Sequence, residues 1–347
     1  MVISSGPGMR ALVLEEFDRM VLSDRPVPEP GPEEVLVRVL ATGICGSDVH
    51  GFTGETGRRI PGQVMGHETV GVIASLCAEA AGLSVGDVVV LNPTLACGSC
   101  PRCRQGRTNI CATRKVIGVD PAISSAFADY FAAPADNLVP FHGEQLHGAL
   151  VEPLAVGFHA ARRGEVSDGD HVLVLGGGPI GQAAALASHR LGAATVTVSE
   201  PVPARRSLLT ELGFRVLDPA ADDIAAAMHA VTGTAGSDVV IDAVGSGVTV
   251  RTAVSATAVG GRCVLVGMAA PRLELDAFAV STADRSIIGA FCYSTDEFSS
   301  TARWAEENPQ LLGKLISELV SPVRAPKLFT TLASGDGPPG KVLVDFS

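Results

Sequence analysis

A thiol, an imidazole and a carboxylate lie within one short stretch of the chain, residues 43–68. Cys45 offers a soft thiolate, His67 an imidazole nitrogen, and Glu68 a carboxylate directly beside that imidazole. Thiolate and imidazole are ligands that Zn²⁺ prefers, and a structural zinc site would have four protein ligands, often as Cys-x-x-Cys pairs. This stretch has no second thiol. The pattern therefore predicts an open, catalytic zinc site; the alternative is a buried cysteine and a core histidine that never meet.

Two polar side chains follow Cys45 at short spacing. Ser47 and His50 come two and five residues after the cysteine, close enough to relay a proton away from a metal-bound oxygen. A turn hydroxyl and an exposed imidazole are the alternative interpretation of the same two residues.

A second group of thiols lies further along the chain. Four cysteines fall within 15 residues, at spacings that can surround one ion tetrahedrally: Cys97, Cys100, Cys103 and Cys111. Because all four ligands would be thiolates, no coordination position is left for a substrate. The spacing predicts a structural zinc that stabilises a lobe with little apolar core of its own, with a redox cluster as the alternative.

From His171 onward, strand patterns alternate with helix patterns, which is typical of a parallel sheet with crossover helices. The first predicted strand runs into a glycine-rich turn, and a helix follows it. Glycines let the backbone approach a pyrophosphate, and the helix N-terminus supplies N–H groups and positive potential. The residues predicted to hold a dinucleotide here are Gly176, Gly178, Pro179, Ile180 and Gly181.

An acidic residue ends the second strand of this part of the chain. Glu200 and Gly178 are 22 positions apart, close to the roughly 20 expected for an acid that binds a ribose hydroxyl. The glycine pattern alone is a weak signal, but here it follows a strand, opens a helix and precedes the acid. Six strands are predicted, which completes a dinucleotide-binding fold of the α/β class.

The ends of the chain predict a different architecture. Short strands without long intervening helices, over residues 9–40, 69–73, 85–91 and 127–139, indicate a small β-barrel. A helix is predicted from residue 151. Two more are predicted near residues 298–307 and 311–319, and a last strand begins at residue 341.

Composition limits the partners. A chain of 347 residues suits two domains, and a net charge of −11 with 4% aromatic residues argues against nucleic acid. Residues 1–8 lack the basic start and apolar run of a secretory signal, and the longest uncharged stretch, residues 172–188, contains turn residues. A soluble, cytoplasmic protein without a membrane partner is predicted, in which cysteines bind metal rather than form disulfides. Three further cysteines have no partner at metal spacing: Cys77, Cys263 and Cys292. Cys263 and Cys292 lie in apolar strand patterns and are predicted to be core residues.

Together these motifs resemble the zinc-dependent medium-chain alcohol and polyol dehydrogenases, over the chain from Met9 onward. The matching text includes residues 152–155 (Glu-Pro-Leu-Ala) and 340–343 (Gly-Lys-Val-Leu). The resemblance implies a GroES-like catalytic domain built from residues 1–155 and 293–347, with a Rossmann domain at residues 156–292. The active site would lie in the cleft between the two domains, and the protein would be a dimer or tetramer.

The same resemblance implies roles for individual residues. Cys45, His67 and Glu152 would be the protein ligands of the catalytic zinc, and Glu68 would lie against the metal and exchange with a ligand during turnover. Where animal alcohol dehydrogenases carry a cysteine, this chain has Glu152, as in the sorbitol, threonine and butanediol branches. That favours a polyol or secondary alcohol over ethanol. The alternative interpretation of Glu152 is an ordinary acid at a helix start, where the helix dipole favours it.

The implied reaction is reversible hydride transfer from a polyol or secondary alcohol to a nicotinamide. Zinc would act as a Lewis acid on the substrate hydroxyl, and Ser47 would pass its proton through the cofactor ribose to His50. Arg205 and Lys341 are placed with the cofactor-binding residues. Glu200 would accept hydrogen bonds from both ribose hydroxyls of NAD and repel the 2′-phosphate of NADP, a repulsion that Arg205 and Arg206 could soften. NAD is therefore the predicted cofactor, with two zinc ions in each chain.

Other interpretations stay open at this point. A threonine-type or sugar-phosphate dehydrogenase fits the same scaffold, and Arg58 with Arg59 could contact an anionic group, although a solvated pair is favoured. A zinc-free quinone or enoyl reductase would lack these cysteines. A non-catalytic protein that binds NAD would carry one zinc rather than two.

Overall fold

The computed structural model describes residues 8–55, 57–76, 82–121, 123–233 and 236–347 of the chain. Its contacts divide the chain into two compact units. One unit contains Met1–Glu152 and Ser294–Ser347, and the other contains Pro153–Tyr293. The second unit is therefore an insertion in the first; the boundaries expected from the sequence followed residues 155 and 292.

The strands are short in both units. They are β1 (Gly8–Glu16), β2 (Arg19–Pro26), β3 (Glu34–Gly43), β4 (Glu68–Leu76), β5 (Val88–Leu91), β6 (Thr94–Leu95), β7 (Lys115–Val116), β8 (Tyr130–Pro134), β9 (Leu138–Pro140), β10 (His171–Leu175), β11 (Thr195–Ser199), β12 (Arg215–Leu217), β13 (Ser237–Asp242), β14 (Thr257–Leu265), β15 (Ser286–Gly289), β16 (Ile316–Val320) and β17 (Lys341–Asp345).

In chain order the α-helices of the described residues are α1 (Gly46–Phe52), α2 (Pro101–Arg104), α3 (Val151–Arg163), α4 (Pro179–Arg190), α5 (Pro203–Glu211), α6 (Ile224–Thr232), α7 (Gly247–Ala256), α8 (Ala277–Ser281), α9 (Thr295–Glu307), α10 (Pro309–Leu315) and α11 (Ala325–Ala333). The longest helices, α3 and α9, have 13 residues each. Within the described ranges, no helix is long and apolar enough to cross a membrane.

The main sheet of the first unit has seven strands in the order β16-β17-β3-β4-β5-β9, with β8 also paired to β3. In β3, Val35, Val37 and Val39 alternate with less buried residues and enter the core. The antiparallel register places Gly43, the last residue of β3, opposite Glu68, the first of β4. The segments that carry the predicted metal ligands therefore leave the sheet side by side.

The sheet of the second unit has six parallel strands in the order β12-β11-β10-β13-β14-β15. This is the strand order of a Rossmann fold, as the alternating pattern predicted. Val172 and Val174 of β10 pack into one apolar cluster, and Leu173 and Leu175 pack into another. Both faces of the sheet are thus buried, which explains why the sequence of β10 is a continuous apolar run.

Some elements differ from the sequence-based expectation. The helix predicted over residues 311–319 was wrong after Leu315, because Ile316–Val320 forms strand β16, parallel to β17. Pairing with a neighbouring strand overrides the helical pattern there. Helices α8 and α11 were not anticipated.

Candidate active site

Three potential metal ligands converge where β3 ends and β4 begins. Cys45, His67 and Glu68 each place one ligand atom within 4.8 Å of the ligand atoms of the other two. His67 and Glu68 are buried, and Cys45 is partly buried. The structure therefore brings together the thiolate, imidazole and carboxylate that were predicted from residues 43–68.

Asp48 lies against two of these three residues. Cys45 is the N-cap of α1, and its backbone N–H donates to Asp48 Oδ2 at 3.2 Å. Asp48 Oδ1 lies 3.4 Å from Nδ1 of His67. Burial by itself would raise the pKa of Asp48, but His67 and Arg59 beside it bring that pKa below its ordinary value. A carboxylate at Nδ1 directs the other ring nitrogen, Nε2, towards a metal, as in many zinc sites.

Arg59 is buried, which corrects the expectation of a solvated arginine pair. Its side chain is 1% exposed, and Nη2 donates to Asp48 Oδ1 at 3.1 Å. Nη1 donates to the carbonyl of Val119, also at 3.1 Å. Arg58 is exposed, as expected. Arg59 thus supports Asp48 from a buried position and is not exposed to an anionic substrate.

Lys341 lies against Glu68, with Nζ donating to Glu68 Oε1 at 2.8 Å and to the carbonyl of Ile44 at 3.3 Å. Burial would lower the pKa of Lys341, but the charges of Glu68, Cys45 and Glu152 raise it above its ordinary value. This ammonium therefore stays charged inside an anionic cluster. Its predicted role in cofactor binding stays a prediction.

Glu152 is at the start of α3 and is 7% exposed. Its influence on the pKa of Lys341 places its charge near the cluster. Within the described part of the chain, however, it is not a member of the group whose ligand atoms lie mutually within 4.8 Å. Its predicted role as the third zinc ligand stays a prediction.

The cluster fits a zinc ion on two counts. Its donor set combines the thiolate and imidazole that zinc favours with a carboxylate. In addition, Oε2 of Glu68 is buried and has no hydrogen-bond partner in the described ranges. A buried carboxylate oxygen without a donor is costly, and a cation held in the cluster would remove that cost.

Ser47 and His50, the predicted proton relay, both lie on α1. Ser47 is partly buried. Nδ1 of His50 lies 3.4 Å from Oε2 of Glu55, and the two side chains are 45% and 65% exposed. The imidazole is thus at the surface, where a relay would end, and the relay itself stays a prediction.

The four predicted thiol ligands form a second cluster, in which all Sγ atoms lie within 4.8 Å of one another: Cys97, Cys100, Cys103 and Cys111. The backbone N–H groups of Ser99 and Cys100 lower the pKa of Cys97 to about 6. Burial and the thiol of Cys100 raise the pKa of Cys103 to about 12. Four crowded sulfurs cannot all ionise without a cation, so this cluster also fits zinc.

The glycine-rich turn connects β10 with α4 at very close approach. Gly176 has a φ of 91°, and a Cβ added to Gly181 would lie only 1.8 Å from the carbonyl oxygen of Gly176. Gly178 is the N-cap of α4, and Pro179 and Ile180 follow in its first turn. The turn therefore leads into the N-terminus of a helix, a position that favours an anion such as a pyrophosphate.

We expect Gly181→Ala to disrupt this turn, because its methyl group would overlap the backbone oxygen of Gly176. Overpacking of this kind costs roughly 1–3 kcal/mol of unfolding free energy, and NAD binding should be lost with it. Gly178→Ala is the matched control, because the nearest atom to its added Cβ is Nη1 of Arg205 at 3.9 Å. Urea denaturation should show wild-type stability for the control. Equal stability of the two variants would contradict the packing described here.

Glu200 lies beneath the glycine-rich turn and is 2% exposed. Oε2 accepts from the N–H of Gly177 at 2.6 Å, and Oε1 accepts from the N–H of Val202 at 2.7 Å. Nη1 of Arg205 is 4.0 Å from Oε2. The predicted ribose acceptor and the predicted cofactor arginine are thus neighbours at the end of β11.

Of the other cysteines, Cys263 is 1% exposed and is a core residue, as predicted. Cys292 is only partly buried, so its assignment to the core was wrong. Cys77 lies outside the described residues.

Sequence reasoning missed two supporting residues. Arg59 looked like an ordinary charged loop residue, and no local pattern marked it as buried. Asp242, the last residue of β13, was predicted only as part of a strand. Its Oδ1 accepts from the N–H groups of Val244 and Gly245, both at 2.9 Å, and shapes the loop there. Burial raises the pKa of Asp242 above its ordinary value.

Comparisons with known proteins fit this architecture. The profile of the alcohol dehydrogenase GroES-like domain matches residues 31–143, and the profile of zinc-binding dehydrogenases matches residues 179–307. L-galactonate-5-dehydrogenase of Escherichia coli K12 is 34% identical over 94% of this chain and 93% of its own length. The chain belongs to the zinc-binding alcohol dehydrogenase family.

Two further members of this family are also similar to it. Sorbitol dehydrogenase of Bacillus subtilis is 30% identical over 82% of this chain and 83% of its own length. The crystal structure of 2R,3R-butanediol dehydrogenase from Bacillus subtilis is 26% identical, with a TM-score of 0.87 over 97% of this chain and 99% of that one. This dehydrogenase is therefore an oxidoreductase that acts on CH–OH groups, with a GroES-like and a Rossmann domain and a nicotinamide cofactor.

Proposed function

We propose that this dehydrogenase oxidises a secondary hydroxyl of a polyol or polyol-like sugar acid to the ketone, with NAD as hydride acceptor. One observation carries the proposal. The buried cluster of Cys45, His67 and Glu68 has zinc-type donors within 4.8 Å of one another. Relatives named for sorbitol, galactonate and butanediol support the substrate class.

In this proposal Cys45, His67 and Glu152 hold the catalytic zinc, and the four-cysteine cluster holds a structural one. When bound, the catalytic zinc supplies Lewis acidity that makes the substrate hydroxyl easier to deprotonate. Asp48 keeps the His67 ring in place through Nδ1, at 3.4 Å. Lys341 holds Oε1 of Glu68 at 2.8 Å and leaves Oε2 free to approach the metal. Glu68 is therefore built to lie at the edge of the coordination sphere.

The proton from the substrate hydroxyl is proposed to leave through α1. Ser47 accepts it, and His50 delivers it to solvent at the protein surface. His50 suits this end of the route because its side chain is 45% exposed and faces Glu55, whose carboxylate is 3.4 Å away.

NAD is the proposed cofactor because Glu200 presents a fixed negative charge at the end of β11. Two backbone N–H groups hold this carboxylate in place. Each of its oxygens retains acceptor capacity for a ribose hydroxyl. A 2′-phosphate at the same position would meet that charge, and Arg205 would offset only part of the repulsion.

Glu200→Ala should raise the Michaelis constant for NAD by about 10- to 100-fold, since hydrogen bonds to a charged group contribute about 1.5–3 kcal/mol. The constant for NADP should change far less, because the lost carboxylate no longer repels the phosphate. Steady-state kinetics with both cofactors measures the difference. Glu200→Gln, which keeps an acceptor oxygen for one of the two backbone N–H groups, gauges how much of the effect comes from damage to the turn. Equal effects on both cofactors would contradict the assignment.

The proposed substrate class is tested by following NADH formation with zinc-loaded protein. The panel contains polyols, vicinal diols, secondary alcohols, sugar acids, threonine and sugar phosphates. Turnover of the polyols or sugar acids that stops with a chelator is the expected result. Preference for threonine or a sugar phosphate would instead favour the alternative branch of the family. Silence with NAD bound and two zinc ions present would point to an alcohol outside the panel, whereas silence with one zinc ion would favour a non-catalytic protein.

We also propose that the dehydrogenase works in the cytoplasm as a homodimer or homotetramer. The support is the family membership, together with a composition that suits neither nucleic acid nor membrane partners. Size-exclusion chromatography with light scattering measures the assembly directly.

A further inference from the structure

Arg59 is a buried cation with one charged partner. Its side chain is 1% exposed, and the side chain of Asp48 that it contacts is fully buried. Nη2 donates to Asp48 Oδ1 at 3.1 Å, while Nη1 is held by the carbonyl of Val119 at the same distance. A buried guanidinium is stable only when it is paired in this way.

Helix α1 leaves space for the Arg59 side chain at Gly51. A Cβ added to Gly51 would lie 2.4 Å from Cγ of Arg59, so the absence of a side chain at Gly51 makes room for the arginine stem. The arginine therefore has a built position against α1, the helix that begins after Cys45 and contains Asp48.

Asp48 connects this arginine with two predicted zinc ligands. Its Oδ1 contacts both Arg59 and His67 Nδ1, the second at 3.4 Å, and its Oδ2 accepts from the backbone N–H of Cys45 at 3.2 Å. A metal-bound histidine is neutral, so without Arg59 no described residue would place a full positive charge beside this carboxylate. It would then be free to rotate away from one of the two ligands.

We infer that Arg59 is a positioning residue of the catalytic metal site, which acts through Asp48 to fix Cys45 and His67 in the geometry that zinc requires. This inference rests on the proposed function, because it takes Cys45 and His67 as zinc ligands. Arg59 itself touches neither metal nor substrate in this scheme. Its effect should therefore be visible in metal affinity as well as in turnover.

The test compares wild type with Arg59→Met, Arg59→Lys and Arg10→Met, each loaded with zinc. A colorimetric chelator then withdraws the metal, and the release of each ion is timed. Loss of an outer partner of a metal ligand typically costs 10–100-fold in metal affinity. We expect Arg59→Met to release one zinc ion at least tenfold faster, and Arg59→Lys, which keeps the charge, to show a smaller acceleration.

Two controls separate positioning from general damage. The zinc of the four-cysteine cluster is an internal reference, because a variant that merely unfolds would release both ions faster. Arg10→Met breaks another arginine–aspartate pair of the same unit, at 2.7 Å to Asp129, and should leave both release rates unchanged. In an Asp48→Asn background, Arg59→Met should add little, because the two residues act as one unit.

The outcomes separate this inference from the proposed function. Wild-type release rates for Arg59→Met, or equal acceleration of both ions, would overturn the role of Arg59. A full additional effect of Arg59→Met in the Asp48→Asn background would also overturn it, since the arginine would then act by another route. If Cys45→Ser retained both zinc ions, the metal site itself, and with it the proposed function, would be wrong.

Discussion

Cys45→Ser should abolish turnover while leaving the rest of the protein intact. The thiolate of Cys45 is the softest donor in the cluster with His67 and Glu68, and a serine hydroxyl is a poor replacement for it at zinc. A metal ion used as a Lewis acid contributes several kcal/mol to transition-state stabilisation. We therefore expect kcat/KM to fall by roughly 10³-fold or more. Zinc content should fall from two ions to one, as measured by atomic absorption.

Cys263→Ala is the matched control for this variant. It removes a buried thiol whose Sγ lies 2.9 Å from Oγ1 of Thr257, in the unit that does not contain the metal cluster. Its zinc content and kcat/KM should match wild type. Wild-type activity in Cys45→Ser, or loss of both zinc ions, would contradict the separation of one catalytic and one structural metal.

Lys341→Met should destabilise the metal-free protein strongly. Nζ of Lys341 is 2.8 Å from Glu68, and the two side chains are 4% and 0% exposed. Removing one partner of a buried ion pair leaves an uncompensated charge, at a cost of about 3–5 kcal/mol. Denaturant unfolding after chelation should show this loss, and zinc should restore part of it, because the metal provides another positive charge beside Glu68.

The double variant Glu68→Gln/Lys341→Met is the control. With both charges removed, the stability should return most of the way to wild type, since replacing a whole buried pair is often nearly neutral. The pH dependence follows from the raised pKa of Lys341. A group whose pKa is higher in the folded state stabilises below its unfolded pKa, about 10.4, and loses that contribution only as pH rises further. The effect of Lys341→Met should therefore be constant over about pH 6 to 9, and a steep change there would contradict the ion pair.

Much of this structure could be predicted from patterns that are local in sequence. Strand β10 is a continuous apolar run because both of its faces are buried, and it was predicted together with the five other strands of its sheet. The glycine turn was predictable because Gly181 must approach the oxygen of Gly176, which excludes every other residue type there. The thiols of the four-cysteine cluster are close in sequence, so their spacing alone indicates a shared ion.

Features that depend on contacts between residues distant in sequence were harder to predict. Strand β16 has a helical pattern and forms a strand because β17 is beside it. Arg59 has the composition of an exposed loop, yet it is buried because Gly51 leaves room for it and Asp48 provides a charge. Lys341 is almost 300 positions from Ile44 and Glu68, the residues that it contacts. No local pattern could have indicated either contact.

The most direct test of zinc-dependent hydride transfer is to trace the hydride itself. The best polyol or sugar acid of the panel would be labelled with deuterium on its carbinol carbon and oxidised with NAD by zinc-loaded protein. Mass spectrometry should find the deuterium in the reduced nicotinamide, and prior removal of zinc should stop its transfer. Reduced cofactor without deuterium, or transfer that continues at the same rate after the metal is removed, would contradict zinc-dependent hydride transfer from a CH–OH group.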